Sequence, residues 1–260
     1  MSPWFEKVIQ KTQKKYLSYS SVKHFLDDVV KGEMYLQGKL KKDSQAFTFG
    51  AAYDVMLFTP DEFDNQFFVL EEEDILGEIG GKNPRATKVY KEWLKEQEAL
   101  AVGKRHLSAE EHQQAIDMIT RLEDSGVREI YLKGQYQVEF NKELEIGNHV
   151  IPFRGFLDVL GDGFITDLKS TRASNMWAFK RDVKSMGYDV QSYLYTKAFG
   201  IDDYWWLAQN KFYPYLPMAL KCSEDTLDSG RRKVEHALNV IKDYALSDKP
   251  STHFYIQGEI

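Results

Sequence analysis

Residues 156 to 174 read FLDVLGDGFITDLKSTRAS, and two aspartates and a lysine fall where two apolar runs end. Asp158 closes the first run; Asp167 and Lys169 close the second. If the runs pair through the Gly-Asp-Gly turn, Asp158 and Asp167 lie on neighbouring strands, and alternation sets Asp167 and Lys169 on one face. Two carboxylates a few ångströms apart repel, so the arrangement is costly unless a cation or the lysine stands between them. A hard divalent cation such as Mg²⁺ takes oxygen ligands of this kind, and a lysine beside it can orient or deprotonate a water. The plainer reading leaves both aspartates as surface strand ends and Lys169 as a solvated charge, because an Asp-x-Lys triplet arises often by chance. The apolar sequence running right up to the acids favours chemistry, since charge emerging from buried strands needs a reason.

Three further residues join this group by position. Glu139, in YQVEF, is another acid flanked by apolar residues on the preceding strand; an edge-strand glutamate facing water accounts for it equally well. Gln191 and Tyr195, in DVQSYLY, stand at i and i+4 on one helical face, where an amide and a phenol can position a lysine, a water or a phosphate. Amphipathic packing explains that pair on its own.

The elements that must carry these residues follow from periodicity. Helical spacing of Val22, Phe25, Leu26, Val29 and Val30 after a serine-rich start predicts a capped helix in YLSYSSVKHFLDDVVKGEMYLQGKLKKD. FTFGAAYDVMLFTPDEFDNQF predicts a second, buried helix that stops near Pro60 and has small residues at Gly50, Ala51 and Ala52. An acidic, glycine-punctuated connection leads to a helix bearing Arg85, Lys88, Lys91 and Lys95. In LSAEEHQQAIDMITRLEDSG, Ser108 and Glu111 are spaced as a capping box, with Ile116, Ile119 and Leu122 as the expected buried stripe. The period then changes to two, predicting an antiparallel meander of short strands separated by NKELEIGN and GDG. A helix over MGYDVQSYLYTKAFG, two strands around Pro214 and a long closing helix complete an α/β or α+β pattern, read as one domain over 1–260 with a helical part to 133 and the meander and αββα part from 134.

Composition narrows the class. The chain has 260 residues, 43% of them hydrophobic, and one cysteine, Cys222. A single thiol excludes an internal disulfide framework, a four-cysteine zinc site and a chain-internal cluster needing four thiolates, so a buried structural thiol and a cytoplasmic setting are expected. No run approaches a membrane span, and the amino terminus lacks the apolar core of a signal peptide. The formal net charge is −6, yet residues 1–48 hold nine lysines against five acids while 61–78 hold eight acids and no lysine or arginine. An acidic chain distributed in this way can still offer a basic face to a phosphate backbone.

Taken in order, these motifs resemble the PD-(D/E)xK nuclease superfamily, and within it the RecE-like phage and prophage exonucleases, with RecB-type nuclease domains and phage lambda exonuclease as more distant relatives. LSYSSVKHFLDDVVKGEMY is similar to the family's serine-rich opening helix and FGAAYDVMLFTPDEFDNQF to its Gly-x-x-x-His helix. VEF, GFLDVL and TDLKST follow in the family's order, and GYDVQSYLYTKAFG carries its Gln-x-x-x-Tyr motif. The resemblance implies an α/β fold with a restriction-endonuclease-like core, a central mixed β-sheet flanked by helices. It implies Glu139, Asp158, Asp167 and the Leu168 carbonyl as metal ligands for one or two Mg²⁺ or Mn²⁺ ions, Lys169 as the catalytic lysine, and Gln191 and Tyr195 as its supporting pair. It further implies hydrolysis of linear double-stranded DNA from 5′ ends, a single-strand annealing partner and ring-like homo-oligomers. Candidate DNA contacts are the amino-terminal lysines, Arg85, Lys88, Lys91, Arg154 and Arg172. One departure stands out: Asp54, four residues beyond Gly50, replaces the family histidine. An aspartate is itself a hard oxygen ligand, with a shorter reach and an added charge. A structure-specific or single-strand endonuclease and a catalytically weak DNA-binding subunit are the rival readings; a Cas4-like enzyme is disfavoured by the cysteine count.

Overall fold

Short polar side chains decide where the amino-terminal helices begin and break. The structure, a computed structural model, describes residues 1–40 and 44–251. Helices α1 (Pro3–Thr12), α2 (Tyr19–Asp27), α3 (Val29–Leu36) and α4 (Gln45–Phe58) come first. α2 opens on a reciprocal capping box between Ser18 and Ser21. The apolar spacing predicts one helix through this stretch, but the structure holds two. Asp28 takes an extended conformation (φ −167°, ψ 160°), ends α2, and accepts the Lys31 N–H to start α3. A carboxylate able to satisfy an orphan N–H lets the helix restart in a new direction.

Next come α5 (Phe63–Gln66), β1 (Phe67–Leu70), α6 (Glu73–Ile79), α7 (Lys88–Leu100), β2 (Arg105–Ser108), α8 (Ala109–Asp124) and α9 (Arg128–Tyr131). β1 and β2 form a small parallel sheet of their own. Four residues are too few to establish a period, which is why the sequence reading lacks this pair. In α8 the Ser108–Glu111 capping box is present. Its buried stripe, however, is Ala115, Met118 and Leu122, with Ile119 half-buried and Ile116 turned outward. The i, i+3, i+7 row through the smaller Ala115 packs against the sheet, and the helix is rotated accordingly.

The main sheet has the order β3 (Gln135–Ile146), β4 (His149–Leu160), β5 (Ile165–Thr171), β6 (Tyr204–Asn210), β7 (Pro217–Lys221). β5 and β6 run parallel and the other neighbours antiparallel, so the sheet is mixed. The crossover between β5 and β6 is made by α10 (Met176–Ser185) and α11 (Tyr188–Phe199), and α12 (Glu224–Leu246) closes the chain. The segment NKELEIGN does not separate strands as expected: β3 runs through it, with Leu144 and Ile146 buried and Glu143 and Glu145 exposed, and the hairpin turns at Gly147–Asn148. Gly147 supplies the left-handed φ of 54° that such two-residue turns demand.

Helices cover both faces of this sheet. On one side Phe5, Phe25, Phe153, Leu194, Trp206 and Leu238 pack α1, α2, α11 and α12 against it. On the other, Phe49, Tyr53, Met118, Leu168 and Leu207 join α4 and α8 to it. Cys222 is buried and unpaired, as expected of a structural thiol. Among the described residues no helix is long and apolar enough to cross a membrane.

Candidate active site

The site forms where the central sheet splits. β4 and β5 are paired only beside their turn, at Val159↔Thr166 and Leu160↔Ile165. The next pair would be Asp158 opposite Asp167, and there the ladder ends. The Asp158 carboxylate takes the place of the missing backbone acceptor, with Oδ2 accepting the Leu168 N–H at 2.8 Å. Because the N–H and C=O of one strand residue leave along the same edge, the Leu168 carbonyl faces the same gap. The turn itself is closed by the Gly161 N–H donating to Phe164 O at 2.9 Å, with Gly163 at φ 80°.

Asp167 sits in this gap almost wholly buried, 3% exposed. Its Oδ2 lies 2.5 Å from Lys169 Nζ, and its Oδ1 accepts from Gln191 Nε2 at 2.8 Å. Strand alternation sets the lysine and the aspartate on one face, and α11 brings the amide down onto them. The Lys169 ammonium also stands over the Tyr188 ring, 5.2 Å from its centre. Tyr195, one turn beyond Gln191, is buried and packs edge-on against Phe140 at 5.6 Å. Its hydroxyl pKa is raised by burial and by the charges of Asp167 and Asp158.

α4 adds a third carboxyl. Tyr53 donates its hydroxyl hydrogen to Gln209 on β6, whose amide in turn donates to Met118 O (2.7 Å) and Tyr215 O (2.8 Å), so α4 is pinned to the sheet and to α8. Gly50 faces β5, where a Cβ would meet Ser170 Oγ at an ordinary contact distance of 3.6 Å. The next residue after Tyr53, Asp54, therefore faces Asp158, Asp167 and Lys169, and its carboxyl pKa is raised by burial and by Asp158, against the pull of Lys169. Burial together with Asp167 pushes Asp158 up to about 7, and burial raises Asp167 while Lys169 and Gln191 oppose it. Burial works against the charge on Lys169, but Asp167 and Asp158 outweigh it and hold the ammonium above its ordinary range. One ammonium thus serves three carboxyls. Asp54, Asp158, Asp167 and the Leu168 carbonyl are all hard oxygen donors short of positive charge, a chemistry that suits a divalent cation of the Mg²⁺ type, but their side chains are held apart by bonds to Lys169, Gln191 and the Leu168 N–H.

The model of the PDDEXK-like domain of unknown function (DUF3799) matches residues 18–250. The chain belongs to this PDDEXK-like family. Its fold is also similar to that of a protein from Eubacterium rectale proposed to be an exonuclease, with a TM-score of 0.60 and 18% identity over 99% of this chain and 94% of that one. Together with the five-stranded mixed sheet, that likeness gives the restriction-endonuclease-like fold of the PD-(D/E)xK superfamily. A phage-related exonuclease from Haemophilus somnus aligns at a TM-score of 0.33 and 14% identity, over 64% of this chain and 90% of that one. An alkaline exonuclease from Laribacter hongkongensis aligns at 0.30 and 13%, over 72% and 94%. Those two scores are too low to bear on the fold. No curated protein matches the chain.

Other sequence-predicted residues of this PDDEXK-like chain stand apart from the cluster. Glu139 is half exposed on β3 and its carboxylate pairs with Arg154, which also donates to the Tyr16 hydroxyl at 2.6 Å. Among the described residues no three carboxylate, imidazole or thiolate side chains converge into a ready-made cage. Arg85 is held by Glu72 through two hydrogen bonds of 3.1 and 2.7 Å, and Lys88 lies 3.5 Å from Glu92. Lys91 and Arg172 are exposed. Of the amino-terminal lysines, Lys41 and Lys42 lie outside the described residues. Sequence reasoning missed Tyr188, Tyr19 and Gln137. Tyr188 is three residues before Gln191 on the same helical face, a spacing that was available as a signal. Tyr19 and Lys23 on α2 feel the charge of Lys169. Gln137, in a left-handed turn of the strand at φ 50°, lies across from Asp158 by register, and its side chain favours the charged form of that carboxyl.

Proposed function

We propose that this chain is a metal-dependent deoxyribonuclease, a RecE-like exonuclease that hydrolyses phosphodiester bonds of linear double-stranded DNA in the 5′-to-3′ direction, acting as one nuclease domain. The observation that carries the reading is the contact of Lys169 with the buried Asp167 at the mouth of a split sheet, with the half-buried carboxyls of Asp158 and Asp54 close enough to act on both. Membership of the PDDEXK-like family supports it.

In this reading Asp158, Asp167, Asp54 and the Leu168 carbonyl hold Mg²⁺ or Mn²⁺, which supplies Lewis acidity at the phosphoryl oxygens when bound. Asp167 fixes Lys169, and Gln191 fixes Asp167 from the other side, so the ammonium is aimed rather than mobile. In the charged form Lys169 donates to a phosphate oxygen or holds the attacking water. With the acids neutralised, the field that keeps Lys169 charged weakens, and its proton comes within reach of exchange with that water. The Tyr188 ring covers one side of the ammonium, and Tyr195 packs on Phe140. Glu139 would need to leave Arg154 to join the acids, so it serves here through its ion pair. A single-strand annealing partner, assembly into a homo-oligomer and a role in phage-type recombination complete the proposal.

The test is digestion of end-labelled linear duplex beside closed circular DNA, with and without Mg²⁺ or Mn²⁺. Linear DNA is expected to shorten from its 5′ ends while the circle survives, and Lys169→Ala is expected to lose the activity. Cutting of the circle would instead favour the endonuclease reading, and equal activity in Lys169→Ala would remove the catalytic assignment. No activity under any condition would leave the DNA-binding subunit.

A further inference from the structure

The turn between β6 and β7 presents two large rings to solvent, Phe212 at 58% and Tyr213 at 86% exposure. Its backbone is nevertheless tied down. The Lys211 N–H donates to Thr171 O at 2.8 Å, and the Lys211 carbonyl accepts from Gln114 Nε2 at 2.7 Å. The Asn210 amide donates to Ala173 O (2.9 Å) and accepts the Phe212 N–H (2.6 Å). The Tyr215 N–H donates to Phe212 O at 2.8 Å, and the Tyr215 carbonyl accepts from Gln209. Exposed rings on a fixed backbone lose little entropy when something packs on them.

Two of these anchors, Thr171 and Ala173, flank the exposed Arg172 and lie just beyond Lys169. Two residues of strand span roughly 6–7 Å, so the turn stands close to the reacting lysine. Lys211 Nζ lies over the Phe49 ring at 4.0 Å, and burial together with repulsion from Arg172 pushes its pKa down to about 8. Exposed rings adjacent in the chain to Lys211 and tied by the backbone to the strand that carries Arg172, beside a site for cutting a phosphodiester, match the chemistry of unpaired nucleotides: bases stack on the rings and phosphates meet the cations. A paired duplex hides its base faces, whereas a single-stranded end offers them.

We infer that the β6–β7 turn is a stacking platform for the single-stranded end of the DNA, with Phe212 and Tyr213 packing on bases and Arg172 and Lys211 on phosphates. The inference rests on the nuclease reading of the neighbouring site and adds the course of the strand beside it.

The test uses the full chain in metal-free buffer with a labelled oligothymidylate, read by fluorescence anisotropy. The Phe212→Ser, Tyr213→Ser double variant is expected to bind about ten- to a hundredfold more weakly than wild type. Tyr213→Phe, which keeps the ring, is expected to bind within about twofold of wild type, and the single variants Phe212→Ala and Tyr213→Ala to fall between. Thermal melting checks that each variant is folded. Wild-type affinity in the double variant, or no oligonucleotide binding by wild type, overturns the inference. So does a weaker affinity accompanied by a change of oligomeric state in light scattering, because the rings would then belong to an interface between copies. Digestion of linear duplex by wild type with Mg²⁺ separates this result from the nuclease reading: cleavage with an indifferent platform removes only the platform, and a binding platform without cleavage removes only the nuclease.

Discussion

Asp158→Asn offers a direct measure of what the site costs the fold. The carboxyl of Asp158 is pushed from its ordinary 3.8 up to about 7, first by burial and then by Asp167, against the attraction of Lys169 and the Leu168 N–H. A group whose pKa rises on folding stabilises the folded state least when it is charged, so the penalty is absent below the unfolded pKa and complete above the folded one. Roughly three pKa units at 1.36 kcal/mol each set a ceiling of about 4 kcal/mol above pH 7. Relaxation and water entering the cleft reduce that, and we take half, about 2 kcal/mol. Asparagine keeps an acceptor for the Leu168 N–H and removes the charge. The variant is therefore expected to melt about 4 °C higher than wild type at pH 8 in chelator, at roughly 2 °C per kcal/mol for a chain of this size. At pH 5 most of the wild-type penalty is already relieved, and the gain is expected to fall to about a third. DNA cleavage should be lost at both pH values. A variant less stable than wild type at pH 8, or an equal gain at pH 5 and pH 8, refutes the reasoning, because either result means that Asp158 carries no buried charge worth removing.

Two further outcomes follow from the same geometry. Saturating Mg²⁺ is expected to raise the melting temperature of wild type more at pH 8 than at pH 5.5, since protons compete for Asp54, Asp158 and Asp167 as pH falls through their raised values; a shift independent of pH counts against these ligands. Gly155→Ala places a Cβ 2.6 Å from Phe140 Cζ and 3.1 Å from Tyr195 Cε1, so it is expected to cost about 1–3 kcal/mol in denaturant titration and to lower the cleavage rate by displacing Tyr195.

The common face of Asp167 and Lys169 and that of Gln191 and Tyr195 were legible because each rests on a regular period, two along β5 and nearly four along α11, whereas the choice of Asp167 as the acceptor for Gln191 was not. The partner of Glu139 was not legible. Alternation gives the face on which Glu139 lies but cannot say that Arg154, diagonal to it on β4, will take its carboxylate before another acid does. The break at Asp28 and the parallel pair β1–β2 escaped for a related reason: one depends on a single side-chain cap and the other on contacts between segments far apart in sequence.

Asp54, which stands where the resemblance leads one to expect a histidine, is best understood through charge rather than reach. A neutral imidazole on α4 would leave two acids to one lysine, a net charge of −1. Asp54 makes it three to one, and the structure answers with raised carboxyl pKa values and a firmly charged Lys169 rather than with a second cation. The Tyr53–Gln209 hydrogen bond and the packing of Phe49 and Leu57 hold α4 in place regardless, so the helix cannot retreat to relieve the repulsion. The penalty is therefore built into the fold and is relieved either by protons or by a divalent ion, and near neutral pH the two compete. That competition makes the pH dependence of Mg²⁺ stabilisation the sharpest physical signature of this site, and one that a histidine in place of Asp54 would weaken.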